Sequence, residues 1–576
     1  MLFKNNKKII DILISLILFF QFLFIIFNLN KGLDFTDESF NLLRSLYPSY
    51  EIGKLTYFGF INNYFLNIFD FNLTLLKLFS IIFLSTLLLF FSLSFNHLLK
   101  LTKTGFNFSL ISLALMSLIG VINFYSDWTL TPSYNFYNFL GIVLFLIGLN
   151  YLFIYEKFEK KFSFLMTYFT LFQLSFLICG VTKPSTFIIL LFVLFISFLI
   201  IRRSYELFFK YIFILVTNIF FIYLILKFFD SSLNEYLVEF KLGSTFKAIQ
   251  DPRYEINFIL FGSLKQVLFY FYSNYFLFIL VPIIFLLEKR FFKEYNYILS
   301  LYLFIILILY KNFFIVLTLL SFYLFLFKFK NLFKDYFINI FFPIILIGTY
   351  FAFSLGTNAN FVLHLTKVDV IIAFIFIILF QLLNFRNNSF LKKDKIVLIF
   401  FLTIVTLKFF NGINNPMRLN ATIFEQKNKI EIAPFTNSIF VDSKKYNFIV
   451  ELREVFKKNG WQSGNYLIDW SGRTPGTNLI LNAKYISRPW WLGGYVGSDN
   501  FAKAFLQKSD KQKIKDSWII IGDWLPIELN KSYGISVSVL EEFGVNLETE
   551  YTKVDEYTFV NEKNFYSTKL NIYKPN

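Results

Sequence analysis

Cysteine is almost absent from this chain of 576 residues: Cys179 stands alone, inside an apolar run. No intramolecular disulfide can form, and cysteine-based metal sites are excluded. Histidine is nearly as scarce, with only His97 and His364, and a single histidine is a poor metal-site signal. Charged residues make up 16% of the chain against 56% hydrophobic ones, far from the balance of a soluble domain. The alternation that a membrane β-barrel needs is missing. No small-residue cleavage site follows the basic and apolar start MLFKNNKKIIDILISLILFF, so that segment reads as an uncleaved first helix.

What fills the chain instead is long apolar runs, rich in the 86 phenylalanines. The heavy use of Phe, Ile, Lys, Asn and Tyr is that of an A/T-rich bacterial genome. Thirteen runs predict membrane-spanning helices, at 9–29, 73–95, 105–125, 136–155, 163–180, 185–201, 207–229, 266–287, 297–310, 313–328, 335–354, 369–385 and 396–411. The net charge of +17 is not spread along a polar face, as a nucleic-acid binder would have it. It falls in clusters between runs. With the N-terminus inside, the inward segments hold Lys4, Lys7, Lys8, Lys100, Lys157, Arg202, Lys289, Lys328, Arg386 and their neighbours. The short outward turns hold only Lys183, Lys311 and Lys367. That asymmetry predicts a cytoplasmic N-terminus, an odd number of crossings and an extracytoplasmic C-terminal region in a bacterial inner membrane.

Two outward loops, about 30–72 and 230–265, are long and carry apolar residues at helical spacing, which predicts helices lying flat on the membrane surface. After residue 411 the composition becomes ordinary. Segments such as NSIFVD, NYLIDW and SWIIIGDW alternate with helical stretches such as KKYNFIVELREVFKKNG. A membrane domain over 1–411 and an α/β domain over 412–576 are therefore expected.

Chemistry-bearing residues gather in the outward segments. In the first loop, TDES places Asp37 and Glu38 just after the first span. Thr36 can cap a helix there, with the acids in its first turn, and a carboxylate at the water boundary can also act as a general base toward a hydroxyl. In YSDWTLTPSYNFYNFLG, Asp127, Trp128, Pro132, Tyr134 and Asn135 crowd a turn. Interfacial aromatic anchoring explains the rings, while Asp127 is expected either to orient an acceptor or to help hold a divalent cation. Lys183 in GVTKPST is either a snorkelling anchor or a phosphate-binding cation. Asn358, Asn360 and His364 in SLGTNANFVLHL are either a polar turn or contacts to sugar hydroxyls. In the tail, Asp469, Arg473, Arg488, Trp490 and Trp491 suit sugar stacking and anion binding, or turn and core roles.

Taken together, the TDES pair in the first outward loop, the acidic second loop and the multi-span architecture resemble the GT-C superfamily of polytopic glycosyltransferases. The likeness is to bacterial relatives of protein O-mannosyltransferases and lipid A aminoarabinose transferases, with TPSYN, TKPS, GTNAN, SGRTPG and WWLGGYVGS similar to motifs of one bacterial branch. The resemblance implies a GT-C-like bundle of about 13 transmembrane helices with an extracytoplasmic α/β domain. It also implies transfer of a monosaccharide from a polyprenyl-phosphate-linked donor to a cell-envelope acceptor. By the same resemblance Asp37 is the catalytic carboxylate, Glu38 its orienting neighbour and Asp127 the acidic position of the second outward loop. No Asp-x-Asp or Glu-x-Asp metal motif is present in these loops, and no nucleic-acid partner is expected. The competing classes are an O-antigen-type polymerase or ligase, and a lipid-linked oligosaccharide flippase. A flippase predicts ionisable residues and helix breaks near the membrane middle, with repeated halves.

Overall fold

The computed structural model describes residues 2–102, 109–201, 205–229, 231–250, 262–291, 296–310, 313–329, 332, 337–355, 364–383, 393–472, 474–490, 492, 498–522, 525–526, 538–560 and 566–576. Among these, seven helices are long and apolar enough to cross a membrane: Ile9–Phe27, Leu73–Leu101, Tyr134–Lys157, Phe162–Thr182, Pro184–Ile201, Phe208–Phe228 and Lys395–Asn414. The chain is a multi-pass membrane protein. Phe19, Phe20, Phe209, Phe213 and Phe220 stand exposed on helix surfaces, a cost in water that disappears against lipid tails.

Tyr134–Lys157 is the central helix, 94% buried over its most apolar window. Its glycines allow close approach: a Cβ on Gly141 would overlap the Cys179 sulfur, and one on Gly148 would press on Phe172. Cys179 is therefore a packing residue. Ser175 Oγ donates to the Gly141 carbonyl at 2.7 Å and ties the same two helices.

The apolar runs at 297–310 and 313–328 also form helices, as Tyr297–Tyr310 and Phe313–Phe327. Several others differ from the sequence expectation. The run expected at 266–287 is two helices, Ser263–Ser273 and Tyr275–Phe291. They part at Ser273-Asn274, residue types whose side chains compete for the backbone. The run at 335–354 opens with a wide turn, Phe337–Phe341, before the Phe342–Ser354 helix; Pro343 has no amide to continue a regular ladder. The run at 369–385 shortens to Asp369–Phe380, and the last lengthens to Lys393–Asn414.

Beyond the last membrane helix lies a mixed sheet. β1 (Asn428–Ile430) pairs antiparallel with β2 (Ile439–Val441). A larger sheet runs in the order β4 (Lys484–Tyr485), β3 (Tyr466–Asp469), β5 (Trp518–Gly522), β8 (Tyr566–Pro575), β6 (Leu525–Pro526), with β7 (Tyr551–Val560) also on β8. β3 is parallel to β4 and β5, and β8 is antiparallel to its neighbours. The Ser443–Lys458 helix links β2 to β3, capped by Asp442, whose side chain accepts the Lys445 amide.

The first long loop holds two helices, Asp37–Leu46 and Phe58–Ile68, and the second holds Leu233–Gln250. Asp37–Leu46 does not lie open on a membrane surface. Seven of its ten residues are buried, because Leu42, Leu43 and Leu46, with Leu33 and Phe35 just before the helix, share one core with Leu452, Leu479, Ile480 and Trp518 of the C-terminal sheet region. Backbone bonds seal the joint: Gly32 N donates to Phe440 O, Gly476 N to Phe35 O and Ile52 N to Ser487 O, each at 2.8 Å.

Candidate functional site

The turn that opens the Asp37–Leu46 helix is built by Asp34. Its Oδ1 accepts the Thr36 amide and hydroxyl, both at 2.7 Å, and its Oδ2 accepts the Glu38 amide at 3.2 Å. The sequence reading gave the cap to Thr36, but the Thr36 side chain caps nothing. Its hydroxyl is taken up by Asp34 and by Arg418, whose Nη1 donates to it at 2.6 Å.

Four carboxylates, Asp34, Asp37, Glu38 and Asp127, lie near this end of the bundle, and their partners differ. Glu38 Oε1 accepts Lys77 Nζ at 3.0 Å and the Thr131 hydroxyl, while Oε2 accepts the Asp34 amide at 3.1 Å. Burial pushes Glu38 up, but the Lys77 ammonium and the hydrogen bonds outweigh it and hold the acid below its usual range. Asp127 Oδ1 accepts the Thr129 hydroxyl at 2.7 Å, and Oδ2 pairs with Lys367 at 2.5 Å. Burial again opposes, and Lys367 wins, so Asp127 is also lowered. Asp34 is used up as a cap.

Asp37 is the exception. Its Oδ1 pairs with Arg418 Nη1 at 2.9 Å, and its side chain remains 44% exposed. Among the described residues its Oδ2 has no hydrogen-bond partner. Its pKa is raised: loss of bulk water around the carboxylate is the largest cause, Arg418 works against it, and the neighbouring Asp34 charge adds to the rise. Lys367 lowers it further off, so one lysine acts on both Asp37 and Asp127. Tyr134 lies within reach of the Asp37 and Arg418 charges and packs beside Phe58 at 6.4 Å between ring centroids. Asn135, next to it, has a buried amide oxygen with no hydrogen-bond partner.

Two residues beside the carboxylates hold unusual backbone. Trp128 and Arg418 have φ of 68° and 59°, a left-handed conformation that bulky L-residues adopt rarely. Both are held by the surroundings: Trp128 Nε1 donates to Lys31 O at 3.3 Å, and Met417 N donates to Asp127 O at 3.0 Å. The segment after the last membrane helix is thus pinned against the turn at Asp127.

Lys183 and His364 form a separate pair. The Lys183 ammonium, 4% exposed, donates to the Phe353 carbonyl and lies 5.5 Å from the Phe353 ring centroid. Thr186 and Ser185 hydroxyls bond the Ala352 and Leu355 carbonyls at 2.9 and 3.2 Å. The TKPST turn therefore closes the C-terminal end of the Phe342–Ser354 helix, where free carbonyls favour a cation. His364 stacks on Phe353 at 4.7 Å, and its Nδ1 bonds Ser354 Oγ at 2.8 Å. Burial, with Lys183 and Lys367 adding, keeps it neutral, well below the usual histidine range. Asn358 and Asn360 lie outside the described residues.

In the tail, Asp469 accepts the Thr474 amide at 2.8 Å and the Ser471 hydroxyl, which organises the turn after β3. Arg488 pairs with Glu51, and Trp490 packs edge-on against Phe40 at 5.3 Å. These are turn and core roles. Arg473 and Trp491 lie outside the described residues. Among the described residues no three His, Cys, Asp or Glu side chains converge as a metal site would need, and Asp127 is already occupied by Lys367 and Thr129. The donor set does not fit a divalent cation.

Three residues of the site escaped the sequence reading. Asp34 and Arg418 carried no local motif. Lys77 had a signal available: a lone cation inside an apolar run calls for a partner, and Glu38 is that partner. The chain matches no protein-family model, no curated protein and no solved structure.

Proposed function

We propose that this protein is a glycosyltransferase of the GT-C type, moving a monosaccharide from a polyprenyl-phosphate donor to a cell-envelope acceptor outside a bacterial cytoplasmic membrane. One observation carries the reading. Of the four carboxylates near the junction of bundle and sheet region, only Asp37 keeps an oxygen without a partner among the described residues, and its burial-raised pKa makes it the stronger base. The proposed topology has a cytoplasmic N-terminus, about thirteen crossings and the sheet region outside, supported by the one-sided Lys and Arg distribution.

In this mechanism Asp37 takes the proton from an acceptor hydroxyl as its oxygen attacks the anomeric carbon. The bond from that carbon to the lipid phosphate breaks with its electron pair, and configuration inverts. Arg418 and Lys367 are the cations whose charges act on Asp37, so they are placed to offset charge developing on the departing phosphate. Lys183 reaches that phosphate only by releasing the Phe353 carbonyl. Glu38, fully bonded, is a positioning residue that fixes the start of the Asp37–Leu46 helix on Lys77 and Thr131. The test is a transfer assay with purified protein and a radiolabelled polyprenyl-phosphate sugar, comparing wild type with Asp37→Asn; full activity in a folded variant rules the mechanism out.

A further inference from the structure

A recess of about 360 Å³ lies between the Phe58–Ile68 helix and the end of the Tyr205–Phe228 helix, lined by Lys54, Phe60, Asn63, Tyr64, Phe228 and Phe229 among others. Its walls combine four aromatic rings with the polar Ser49, Asn63, Asn67 and Ser231, and one ring faces the membrane: Phe228 is 76% exposed, on the same helix as the exposed Phe209, Phe213 and Phe220. Tyr64, 59% exposed, is of the ring type enriched at headgroup depth, and it shares the recess with the end of that span, so the recess opens sideways to lipid where phosphates lie.

Lys54 is the cation of this recess. Its ammonium lies 6.0 Å from the centroid of the Phe60 ring. The acids that face it are engaged elsewhere. Glu51 is held by Arg44 at 2.6 Å and by Arg488 at 3.6 Å. Glu239 is held by Lys508 at 3.1 Å and accepts the backbone amide of Lys54 at 3.0 Å. Glu235 accepts the Ser232 amide at 2.7 Å as a helix cap. Among the described residues no carboxylate lies within ion-pair distance of the Lys54 ammonium. A half-buried cation with no counter-ion among the described residues, set beside aromatic rings and opening to lipid, matches an anionic headgroup with a hydrocarbon chain.

We propose that this recess binds a membrane lipid headed by a phosphate, with Lys54 on the phosphate and Phe60, Tyr64, Phe228 and Phe229 on the first part of the chain. The site is distinct from Asp37. Asn63 donates to the Ser45 carbonyl at 2.8 Å, at the far end of the Asp37–Leu46 helix. A ten-residue helix is about 15 Å long at a rise of roughly 1.5 Å per residue. An anomeric carbon is one P–O–C link from its phosphate, so a lipid held by Lys54 is not the molecule reacting at Asp37. The inference does not depend on the transferase reading.

The test is native mass spectrometry of the full-length protein in non-ionic detergent, with polyprenyl phosphate, phosphatidylglycerol or, as a headgroup-free control, diacylglycerol added. One phosphate-headed lipid is expected to be retained per chain, and diacylglycerol is not. Lys54→Met should lower retention by about tenfold or more, the scale of a lost charge-assisted hydrogen bond, while Lys54→Arg and Asp37→Asn keep it. Preference for the polyprenyl phosphate assigns the site to an isoprenoid carrier, and equal retention of phosphatidylglycerol assigns it to bulk phospholipid; both support phosphate recognition. Equal retention of diacylglycerol by the wild type, a comparison that needs no variant, would overturn the proposal. So would unchanged phosphate-lipid retention in a folded Lys54→Met protein.

Discussion

Arg418, just beyond the last membrane helix, pairs with Asp37, the first residue of the first helix outside the bundle, at 2.9 Å. The contact joins the membrane bundle, the first loop and the strand-bearing region at one carboxylate. It also sets that carboxylate's proton affinity, since Arg418 is the strongest force opposing the burial that raises it.

Asp37→Asn is expected to reduce transfer by roughly 100-fold or more, the scale of general-base loss, without harming the fold. The sign follows from linkage. A carboxyl whose folded pKa is raised contributes stability below its unfolded pKa and loses that contribution as pH rises through the folded value. At neutral pH the charged Asp37 is therefore no asset to folding, and thermal unfolding of the variant should match or exceed wild type. A marked drop in its melting temperature would show that Asp37 is structural.

The pH profile offers a sharper check. Activity should rise with pH through a value above the ordinary aspartate range, because the Asp37 pKa is raised and the proposed mechanism needs its carboxylate deprotonated. Arg418→Met removes the main force lowering that pKa, so the rising limb should move to higher pH. A limb that stays in place in the variant would separate the titrating base from Asp37.

Lys77 and Glu38 form a pair of low accessibility, with side chains 3% and 18% exposed. Removing one partner from such a pair costs about 3 kcal/mol, so Lys77→Met should lower the melting temperature whether or not the protein is an enzyme. Glu38 is held below its unfolded pKa. Its contribution is complete above the unfolded value and is lost as pH falls through the folded one. Wild-type stability should therefore fall more steeply below the ordinary glutamate range than that of Lys77→Met, in which this acid-dependent contribution is lost.

Glu51 stands between two buried arginines, Arg44 at 2.6 Å and Arg488 at 3.6 Å. Burial already brings Arg488 down to about 10. Glu51→Gln leaves two like charges without their counter-ion, a change worth roughly 3–5 kcal/mol. Limited proteolysis should then cut between the first loop and the strand-bearing region, which stays protected in wild type.

Lys183→Met should behave as the loss of a helix cap. The Phe353 carbonyl loses its ammonium donor and keeps the Asn138 side-chain amide at 3.3 Å, a loss of about 1.5–3 kcal/mol for a hydrogen bond to a charged group, visible as lower thermal stability with donor affinity unchanged. A fall in donor affinity at equal stability would restore the phosphate role suggested by the TKPS motif.

Much of the architecture was legible because it rests on short-range regularities. Apolar runs long enough to span a bilayer fold as helices wherever their backbone must satisfy itself, and the runs around residues 73–95, 136–155 and 163–180 did so. The segments NSIFVD, NYLIDW and SWIIIGDW became β2, β3 and β5 for the same kind of reason, since alternation and β-branched residues act within a few positions. The carboxylates Asp37, Glu38 and Asp127 were conspicuous because each is a charge beside an apolar run. Only the tertiary structure decided their partners. Whether a carboxylate is a spent cap, a structural ion pair or a free base depends on what stands within about 3–4 Å of it. Those neighbours, Lys77 for Glu38, Lys367 for Asp127 and Arg418 for Asp37, come from segments that the sequence leaves far apart.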